Sequence, residues 1–190
     1  MKKRVIVVCG NKHHGKDELA KNLRVLFPDS VVRAYADPLK EAVAIMLGVP
    51  LEWMYDQEKK ETVIRYGKTL RHWLQWIGTE VARDQIDRRV WVHRMGDYVL
   101  QSDCTTVIVP DGRFHNEGAD LHSYLKVDAE ILTVRIKRPG YRVDMSHRSE
   151  SEVAGMSDSD FDYVVVNDGT LEHLRHVARR LAASILGKGV

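Results

Sequence analysis

The sequence predicts an α/β fold in three layers, with a mainly parallel five-stranded sheet between helices. Short apolar runs of strand length alternate along the chain with apolar residues at helical spacing. The first run ends at a glycine-bounded polar loop, and an amphipathic helix follows at once. Parallel strands need crossover connections, and the helices that make them cover both faces of the sheet.

The first strand, loop and helix give the clearest part of this pattern. Residues 5–9 form the run Val-Ile-Val-Val-Cys, which ends at Gly10. A continuous run is typical of a strand buried on both faces of a parallel sheet, so we expect it at the centre. A helix is predicted after residue 16, with apolar residues at positions 19, 23, 26 and 27 and an end at Pro28.

The second strand is expected over residues 31–36. Asp37 then supplies a helix N-cap and Pro38 the first helical position, and this helix should end at Gly48. Further helices are predicted over about residues 69–84 and 88–100, where apolar residues share one face.

Three later apolar runs predict the remaining strands, and a final helix follows them. The strands are expected over residues 105–109, 131–136 and 163–166, and the helix over about residues 171–186. Residues 138–160 show no apolar period, so we expect them to leave the sheet as a mobile excursion.

Composition limits the class of protein. A chain of 190 residues that is 44% hydrophobic has enough apolar surface for one domain, and its net charge of +2 favours neither a nucleic-acid scaffold nor an acidic disordered chain. Cys9 and Cys104 lie beside apolar runs without the spacing of a disulfide framework or a zinc site, which favours a reducing compartment. The apolar run after Arg4 is too short for a signal peptide or a membrane span, so we expect a cytoplasmic protein that is not exported and has no membrane partner.

The loop after the first strand carries the strongest functional motif. Residues 10–17, Gly-Asn-Lys-His-His-Gly-Lys-Asp, match the phosphate-loop pattern G-x-x-x-x-G-K. The glycines let the backbone curl so that its N–H groups converge, and Lys16 and the start of the helix add positive charge. A chance glycine turn with a solvated lysine is the alternative, but the position between a strand and an amphipathic helix is the one that the motif requires.

Two carboxylates are candidates for holding Mg²⁺. Asp17 stands where a Ser or Thr hydroxyl usually binds the ion, so it either holds the ion itself or leaves this to another group. Asp111 follows the third strand and would reach the same sheet edge, where Arg113 is placed to bind a phosphate. A turn aspartate and a helix cap are the structural alternatives for Asp111 and Asp37.

The predicted helix over residues 69–84 offers polar groups for a second ligand. Arg71 and Arg83 are more than three turns apart, so they would bracket a ligand rather than grip it as one fork. For Trp73 and Trp76 we favour packing over base stacking. The excursion over residues 138–160 carries three arginines, Arg138, Arg142 and Arg148, and has the composition of a lid that closes over phosphates; a charged surface loop is the alternative.

The combined motifs resemble the phage-type deoxynucleoside monophosphate kinases of the adenylate-kinase-like P-loop superfamily. The resemblance covers most of the chain. It is carried by residues 10–17, by Tyr-Ala-Asp-Pro-Leu-Lys-Glu at 35–41, by Arg71, Leu-Gln-Trp-Ile-Gly-Thr-Glu at 74–80, Arg83 and Trp91, by Asp-Gly-Arg-Phe-His-Asn-Glu at 111–117, and by Asn-Asp-Gly-Thr at 167–170. Gly112 departs from the pattern, which more often has a β-branched residue there.

The resemblance implies a fold, a reaction and a set of site residues. It implies one P-loop kinase domain over residues 1–190, with a helical region that binds the nucleoside monophosphate at about 37–100 and a lid at about 138–160. The reaction would be ATP- and Mg²⁺-dependent phosphorylation of a deoxynucleoside monophosphate, in the host cytoplasm for a phage-encoded protein. ATP would be bound by Gly10, Lys12, His14, Gly15, Lys16, Asp17, Glu18, Asn167 and Gly169, and Mg²⁺ by Asp17 and Asp111. The acceptor nucleotide would be bound by Asp37, Lys40, Arg71, Gln75, Thr79, Glu80, Arg83, Trp91 and Arg113, with catalytic roles for Lys16, Arg113, Arg138 and Arg142.

Two other functions stay open from the sequence. Animal-type phosphomevalonate kinases share the Gly-Lys-Asp loop, the Pro-Leu-Lys-Glu helix and the late acidic segment. A non-catalytic nucleotide- or nucleic-acid-binding module would use the basic stretch at residues 59–94, although acidic residues interrupt it. We expect no stable nucleic-acid partner. The accepted bases, the sugar selectivity and the formation of a homodimer are not decided by the sequence.

Overall fold

The computed structural model describes residues 2–113, 116–141 and 148–187. Its centre is a five-stranded sheet in which every strand pair is parallel, in the order β2-β3-β1-β4-β5. The strands are β1 (Lys3–Cys9), β2 (Ser30–Val32), β3 (Thr106–Gly112), β4 (Ala129–Lys137) and β5 (Tyr163–Val166). The predicted five-stranded α/β fold is therefore confirmed.

Strand β1 occupies the central position that its continuous apolar run predicts. Val5 pairs with Val107 of β3 on one side and with Ile131 of β4 on the other. Residues 5–8 are at most 1% exposed. Such burial on both faces explains why this strand has no polar alternation.

Eight α-helices connect and cover these strands within the described residues. They are α1 (Lys16–Leu26), α2 (Asp37–Leu47), α3 (Gln57–Glu61), α4 (Leu70–Gln75), α5 (Val90–Gln101), α6 (Asn116–Leu125), α7 (Arg148–Gly155) and α8 (Leu171–Gly187). Short 3-10 turns lie at Leu51–Met54, Arg65–Gly67 and Asp158–Asp160, and a π-helix covers Trp76–Ile86.

The chain divides into two compact units. The first contains the sheet and consists of the residues up to Ala34 and from Met95 onward. One face of its sheet packs against α1 and α8 through a cluster that includes Ile6, Leu19, Leu23, Leu174 and Leu181. This core holds the loop between β1 and α1 at the carboxyl edge of the sheet.

The second unit, Tyr35–Arg94, is helical and has an apolar core of its own. Its fully buried members come from α2, from the 3-10 turn after it and from α4, and include Val43, Leu47, Met54 and Leu70. Trp73 and Trp91 pack against this core. Packing is therefore the observed environment of Trp73, whereas Trp76 is 37% exposed.

Several expected boundaries are wrong. Strand β2 ends at Val32, not at residue 36. Asp37 is the first residue of α2 and not its N-cap, which is Ala36. Gly48 does end α2, in a left-handed conformation with φ 63° that glycine adopts readily.

The helix predicted over residues 69–84 is only partly an α-helix. From Trp76 onward it continues as a π-helix to Ile86, so residues beyond this point do not keep the 3.6-residue period. Gly78 lies inside the π-helix, where an added Cβ would stand 2.6 Å from Leu39 Cδ2. Trp91 Nε1 donates to the Gly78 carbonyl at 2.9 Å. Close packing at Gly78 thus accompanies the change of helix type.

The polar segment predicted as an excursion contains regular structure. Arg142 lies outside the described residues, but α7 forms a helix, and Val153 and Met156 are buried. The segment is also tied to β4, because Arg135 pairs with Asp158 at 3.0 Å and donates to the Met156 carbonyl. The spacing of Val153 and Met156 is helical, but two apolar residues are too few to stand out as a period.

Gly112 closes β3 against β1 at a point where a larger residue has no room. An added Cβ would lie 2.4 Å from Cys9 Sγ and 2.8 Å from Val7 Cγ1. The register of the two strands shifts between Val7 and Cys9 at this point. In this chain the glycine therefore accommodates the Cys9 side chain, whose burial raises the pKa of the thiol to about 12.

The substitution Gly112→Ala should destabilise the protein by about 1–3 kcal/mol, because overpacking a buried strand pair forces the backbone or its neighbours to move. Urea unfolding measures the effect. The destabilisation should be smaller in a Cys9→Ala background, since that change removes the nearest clashing atom.

Gly155→Ala is the matched control, because an added Cβ at Gly155 meets no atom within 4 Å. Its free energy of unfolding should stay within about 0.5 kcal/mol of the parent. An equal effect of the two substitutions would contradict the packing role of Gly112.

Candidate functional site

The turn between β1 and α1 is curled as the motif requires. Gly15 has φ 99° and precedes the first residue of α1. Gly10 is buried, and an added Cβ would lie 2.6 Å from the Ile136 carbonyl oxygen. The two motif glycines therefore meet separate requirements, one for a left-handed conformation and one for contact with β4.

Lys16 is held inside this turn. Its side chain is buried, and Nζ donates to the Asn11 carbonyl at 2.9 Å. Burial, and to a smaller extent the nearby Arg113 charge, lower the pKa of the Lys16 ammonium to about 8, although Glu150, Asp17 and Asp111 act in the opposite direction. An anion that binds beside such a desolvated ammonium stabilises its charged form.

The loop after β5 braces the turn from one side. Asn167 Nδ2 donates to the His14 carbonyl at 3.0 Å, and Asn167 Oδ1 accepts from Gly169 N at 3.0 Å. Asn167 is buried, and an added Cβ on Gly15 would lie 2.7 Å from its amide nitrogen. The structure thus brings Asn167 and Gly169 to the phosphate loop.

Arg138 reaches the same turn from the end of β4. Its Nη1 donates to the His13 carbonyl at 3.2 Å, and its guanidinium lies over the Tyr141 ring, 5.4 Å from the ring centroid. Among the other predicted lid residues, Arg142 lies outside the described residues, and of Arg148 only the backbone is described. Of the three arginines in the predicted lid, Arg138 is therefore the one whose side chain bonds to the loop within the described residues.

Arg113 pairs with Glu150, a residue outside the sequence motifs. Its Nη1 donates to Glu150 Oε1 at 2.8 Å, and its backbone N–H donates to Glu117 Oε2 at 2.8 Å. Glu150 Oε2 also accepts from the Lys12 backbone N–H at 2.8 Å. In the sequence Glu150 is one acidic residue in a basic segment, which is too weak a signal to assign a role.

Asp17 and Asp111 fit a magnesium ion that is held mainly by phosphate oxygens. Both carboxylates lie close enough to Lys16 to act on its pKa. Asp17 is exposed at the start of α1, and Asp111 is the half-buried next-to-last residue of β3. Over the described ranges no cluster of three or more His, Cys, Asp and Glu is placed to hold a metal. One or two carboxylates beside a phosphate site are what Mg²⁺ commonly uses.

A cavity of about 340 Å³ adjoins the loop. It is lined on one side by Gly10, Asn11 and His14 and on the other by residues 135–139 and by Val153 and Ala154. His14 is buried, which lowers its pKa, so the imidazole is neutral at pH 7. Its Nε2 is buried with no hydrogen-bond partner among the described residues.

The predicted acceptor residues of the second unit form groups of their own. Asp37 is buried and accepts from Tyr55 Oη at 2.9 Å and from Lys40 Nζ at 3.2 Å. Arg71 donates to Glu61 and, at 3.2 Å, to Gln57 Oε1. The others lie along the π-helix or beside it: Gln75 and Glu80 are exposed, Thr79 and Arg83 are half-buried, and Trp91 bonds to Gly78.

The first unit therefore concentrates groups that bind phosphate. A curled backbone, the positive end of α1 and three cationic side chains lie around one turn, with carboxylates beside them. Binding and polarising a phosphate chain is the chemistry that such an arrangement supports.

Comparison with known proteins identifies related sequences. Residues 52–177 match the family model described as deoxynucleotide monophosphate kinase. A protein of Acanthamoeba polyphaga mimivirus that carries the name deoxynucleotide monophosphate kinase is 31% identical over 187 residues, which cover 88% of this chain and 90% of that protein. The deoxynucleotide monophosphate kinase of Enterobacteria phage T4 is 29% identical over 139 residues, which span 64% of this chain and only 54% of the phage protein.

Solved structures share the fold at low sequence identity. The APS kinase of Mycobacterium tuberculosis has a TM-score of 0.51 and 13% identity, with 95% of this chain and 96% of that chain covered. The fold is thus that of the P-loop kinases, as the sequence predicts. None of the helices within the described ranges is both long enough and apolar enough to span a membrane.

The charge of Lys16 should make ligand binding pH-dependent. Because its pKa is about 8, the ammonium is charged below that pH and loses its charge above it. The affinity for Mg·ADP should therefore fall by up to about tenfold per pH unit above 8. Calorimetry in two buffers of different ionisation enthalpy should show proton uptake on binding between pH 7.5 and 9.5.

Lys16→Arg should abolish this proton uptake, since arginine stays charged throughout the range. Lys21→Ala, which changes an exposed lysine on the same helix, should leave it intact. Proton uptake that persists in Lys16→Arg would assign the titration to another group.

Proposed function

The chain belongs to the deoxynucleotide monophosphate kinase family and is a phosphotransferase, and from this premise we propose that it transfers the γ-phosphate of ATP to a deoxynucleoside monophosphate. The product would be the deoxynucleoside diphosphate. The observation that carries the proposal is the curled turn of residues 10–17 with the buried Lys16 ammonium inside it.

The donor nucleotide is assigned to the first unit. N–H groups of the turn other than that of Lys12, which donates to Glu150, bind the phosphate chain, and Lys16 neutralises charge on the β- and γ-phosphates. Gly15 and Asn167 keep the turn in the shape that allows this. The buried Nε2 of His14 supports a polar ligand beside the loop, because buried polar atoms in proteins are normally hydrogen-bonded.

Magnesium fits Asp17 and Asp111, and it would supply charge neutralisation on the phosphate oxygens. The positive groups of the chain serve the same purpose. Arg113 and Arg138 lie close to the loop, and guanidinium groups bind phosphate oxygens through two N–H bonds in a fixed geometry. They are the candidates for stabilising the transferring group.

The acceptor nucleotide is assigned to the second unit. Arg71 and Arg83 supply positive charge for its phosphate, and the buried Asp37 carboxylate on α2 accepts from Lys40 and from the more exposed Tyr55. Side chains on helices are held more firmly than side chains on loops. Gln75, Thr79 and Glu80 offer further polar contacts.

No catalytic base is needed for this reaction. The acceptor is a phosphate oxygen that is already ionised at neutral pH, so the chain has to align the acceptor with the γ-phosphate and stabilise the charge between them. Neither Lys16 nor the arginines would exchange a proton with substrate. The acceptor oxygen attacks the γ-phosphorus, and ADP is the leaving group.

Lys16→Ala should reduce turnover by about 10²-fold or more, because it removes a preorganised positive charge from the transferring phosphate. The measurement is a coupled ATP-consumption assay with the four deoxynucleoside monophosphates, their ribo forms and phosphomevalonate. Lys21→Ala is the control and should keep full activity. Wild-type turnover with phosphomevalonate alone would overturn the proposed acceptor, and full activity of Lys16→Ala would overturn the site.

Arg71→Ala should raise KM for the deoxynucleoside monophosphate about 10- to 100-fold, with KM for ATP changed less than threefold, since a lost charged hydrogen bond costs about 1.5–3 kcal/mol. Initial rates with each substrate varied in turn separate the two constants. Lys68→Ala removes an exposed positive charge from the same unit and should alter neither. An equal rise in both KM values for Arg71→Ala would argue against an acceptor role.

A further inference from the structure

Glu150 joins three segments of the first unit through one carboxylate. Its side chain is 8% exposed. Oε2 accepts from the Lys12 backbone N–H at 2.8 Å and from Asn11 Nδ2 at 3.1 Å, while Oε1 accepts from Arg113 Nη1 at 2.8 Å. The Asn11 amide also donates to the Glu150 backbone carbonyl at 2.9 Å. Helix α7, the phosphate loop and the residue after β3 are thereby linked.

The carboxylate is ionised in this position. Burial by itself would raise its pKa, but the Lys12 N–H and the Asn11 amide, with the charges of Arg113 and Lys16, outweigh burial and lower it. A buried charge is stable where it is paired and hydrogen-bonded, and Glu150 meets both conditions. Its charge also offsets the repulsion between Arg113 and Lys16, and of the three carboxylates that act on Lys16 it has the largest effect.

Arg113 is held at both ends. Glu117 accepts from its backbone N–H, and Glu150 accepts from its guanidinium. A guanidinium that is fixed in advance contributes more to a transition state than one that must be ordered during the reaction. The contact with Glu150 therefore bears on how well Arg113 can serve a phosphate.

We propose that Glu150 is a positioning residue for phosphoryl transfer, which acts by holding the Arg113 guanidinium and the phosphate loop in one arrangement. The proposal rests on the proposed function, because the effect appears in kcat only where Arg113 touches the transferring phosphate. Glu150 is assigned no contact with phosphate oxygens, which its own negative charge would repel.

The test is a double-mutant cycle of Glu150→Gln with Arg113→Ala. The glutamine keeps the size of the side chain and one acceptor oxygen but removes the charge. We expect Glu150→Gln to lower kcat at least tenfold in the wild type, with KM for ATP changed less than threefold. In the Arg113→Ala background the same substitution should lower kcat less than twofold, because residues that act as one unit are not additive.

Glu152→Gln is the matched control. It removes the same charge from the same helix, and at two residues' distance its side chain projects from roughly the opposite side of the helix. Its kcat should stay within twofold of the wild type. If Glu150→Gln does not fold, Glu150→Asp replaces it; the shorter side chain keeps the charge but loses its reach, and the same pattern in both backgrounds is expected.

A second readout does not depend on turnover. Relaxation of the Arg113 Nε–Hε resonance, assigned by its loss in Arg113→Ala, should show a more mobile guanidinium in Glu150→Gln and an unchanged one in Glu152→Gln. Should the wild type phosphorylate none of the nucleotides, the proposed function fails, and this measurement still decides whether Glu150 positions Arg113.

Three results would overturn the proposal. The first is an equal fold-loss of kcat in both backgrounds, which would make Glu150 independent of Arg113. The second is an unchanged kcat with an unchanged Arg113 resonance. The third is a fall of more than threefold in KM for ATP without loss of kcat, which would show that the carboxylate competes with the triphosphate for the loop.

Discussion

The turn between β1 and α1 keeps its curl because side chains from distant parts of the chain bond its backbone. Asn167 and Arg138 donate to the carbonyls of His14 and His13, and Glu150 accepts from the N–H of Lys12. Main-chain groups need partners when they are taken from water, and here the neighbouring strand ends and α7 supply them. The order of the sheet accounts for two of these contacts, since Arg138 follows β4, which pairs with β1, and Asn167 follows β5 on the other side of β4. The rest of the candidate site depends on this braced turn.

Positive and negative side chains around the turn stabilise one another although they are largely buried. Lys16 is desolvated and its pKa falls to about 8, while hydrogen bonds from Lys12 and Asn11 and the neighbouring positive charges stabilise the Glu150 carboxylate against burial. The Lys16 ammonium is desolvated, and Glu150 holds the Arg113 guanidinium in place. Both groups can therefore bind oxygens of an anion with little further loss of hydration or mobility. This favours a phosphate chain over a single carboxylate ligand, because several preorganised donors converge on one place.

The helical unit differs from the sheet in how its core is built and in where its polar groups lie. Its core is built from α2, α4 and the turns between them, and its polar groups sit on helices rather than at strand ends. The π-helix from Trp76 to Ile86 is the unusual element, with Gly78 against Leu39 and its carbonyl bonded by Trp91. Such segments are frequent at functional sites, and this one carries several residues that the family resemblance assigns to the acceptor.

The sequence by itself determined the elements that depend on local order: the buried run of β1, the glycine-bounded loop, the helix after it and the strands that alternate with helices. The apolar periodicity of helices and strands and the conformational preferences of glycine and proline depend on neighbouring residues, so they can be predicted from the sequence. The tertiary structure alone decided the contacts between residues far apart in the chain. Glu150 bonds to Lys12, 138 positions away in the chain. Cys9 fills the space that a side chain at position 112 would need, so a glycine is required there. The end of β2 at Val32 and the change to a π-helix belong to the same class, because pairing partners and packing neighbours override local propensity.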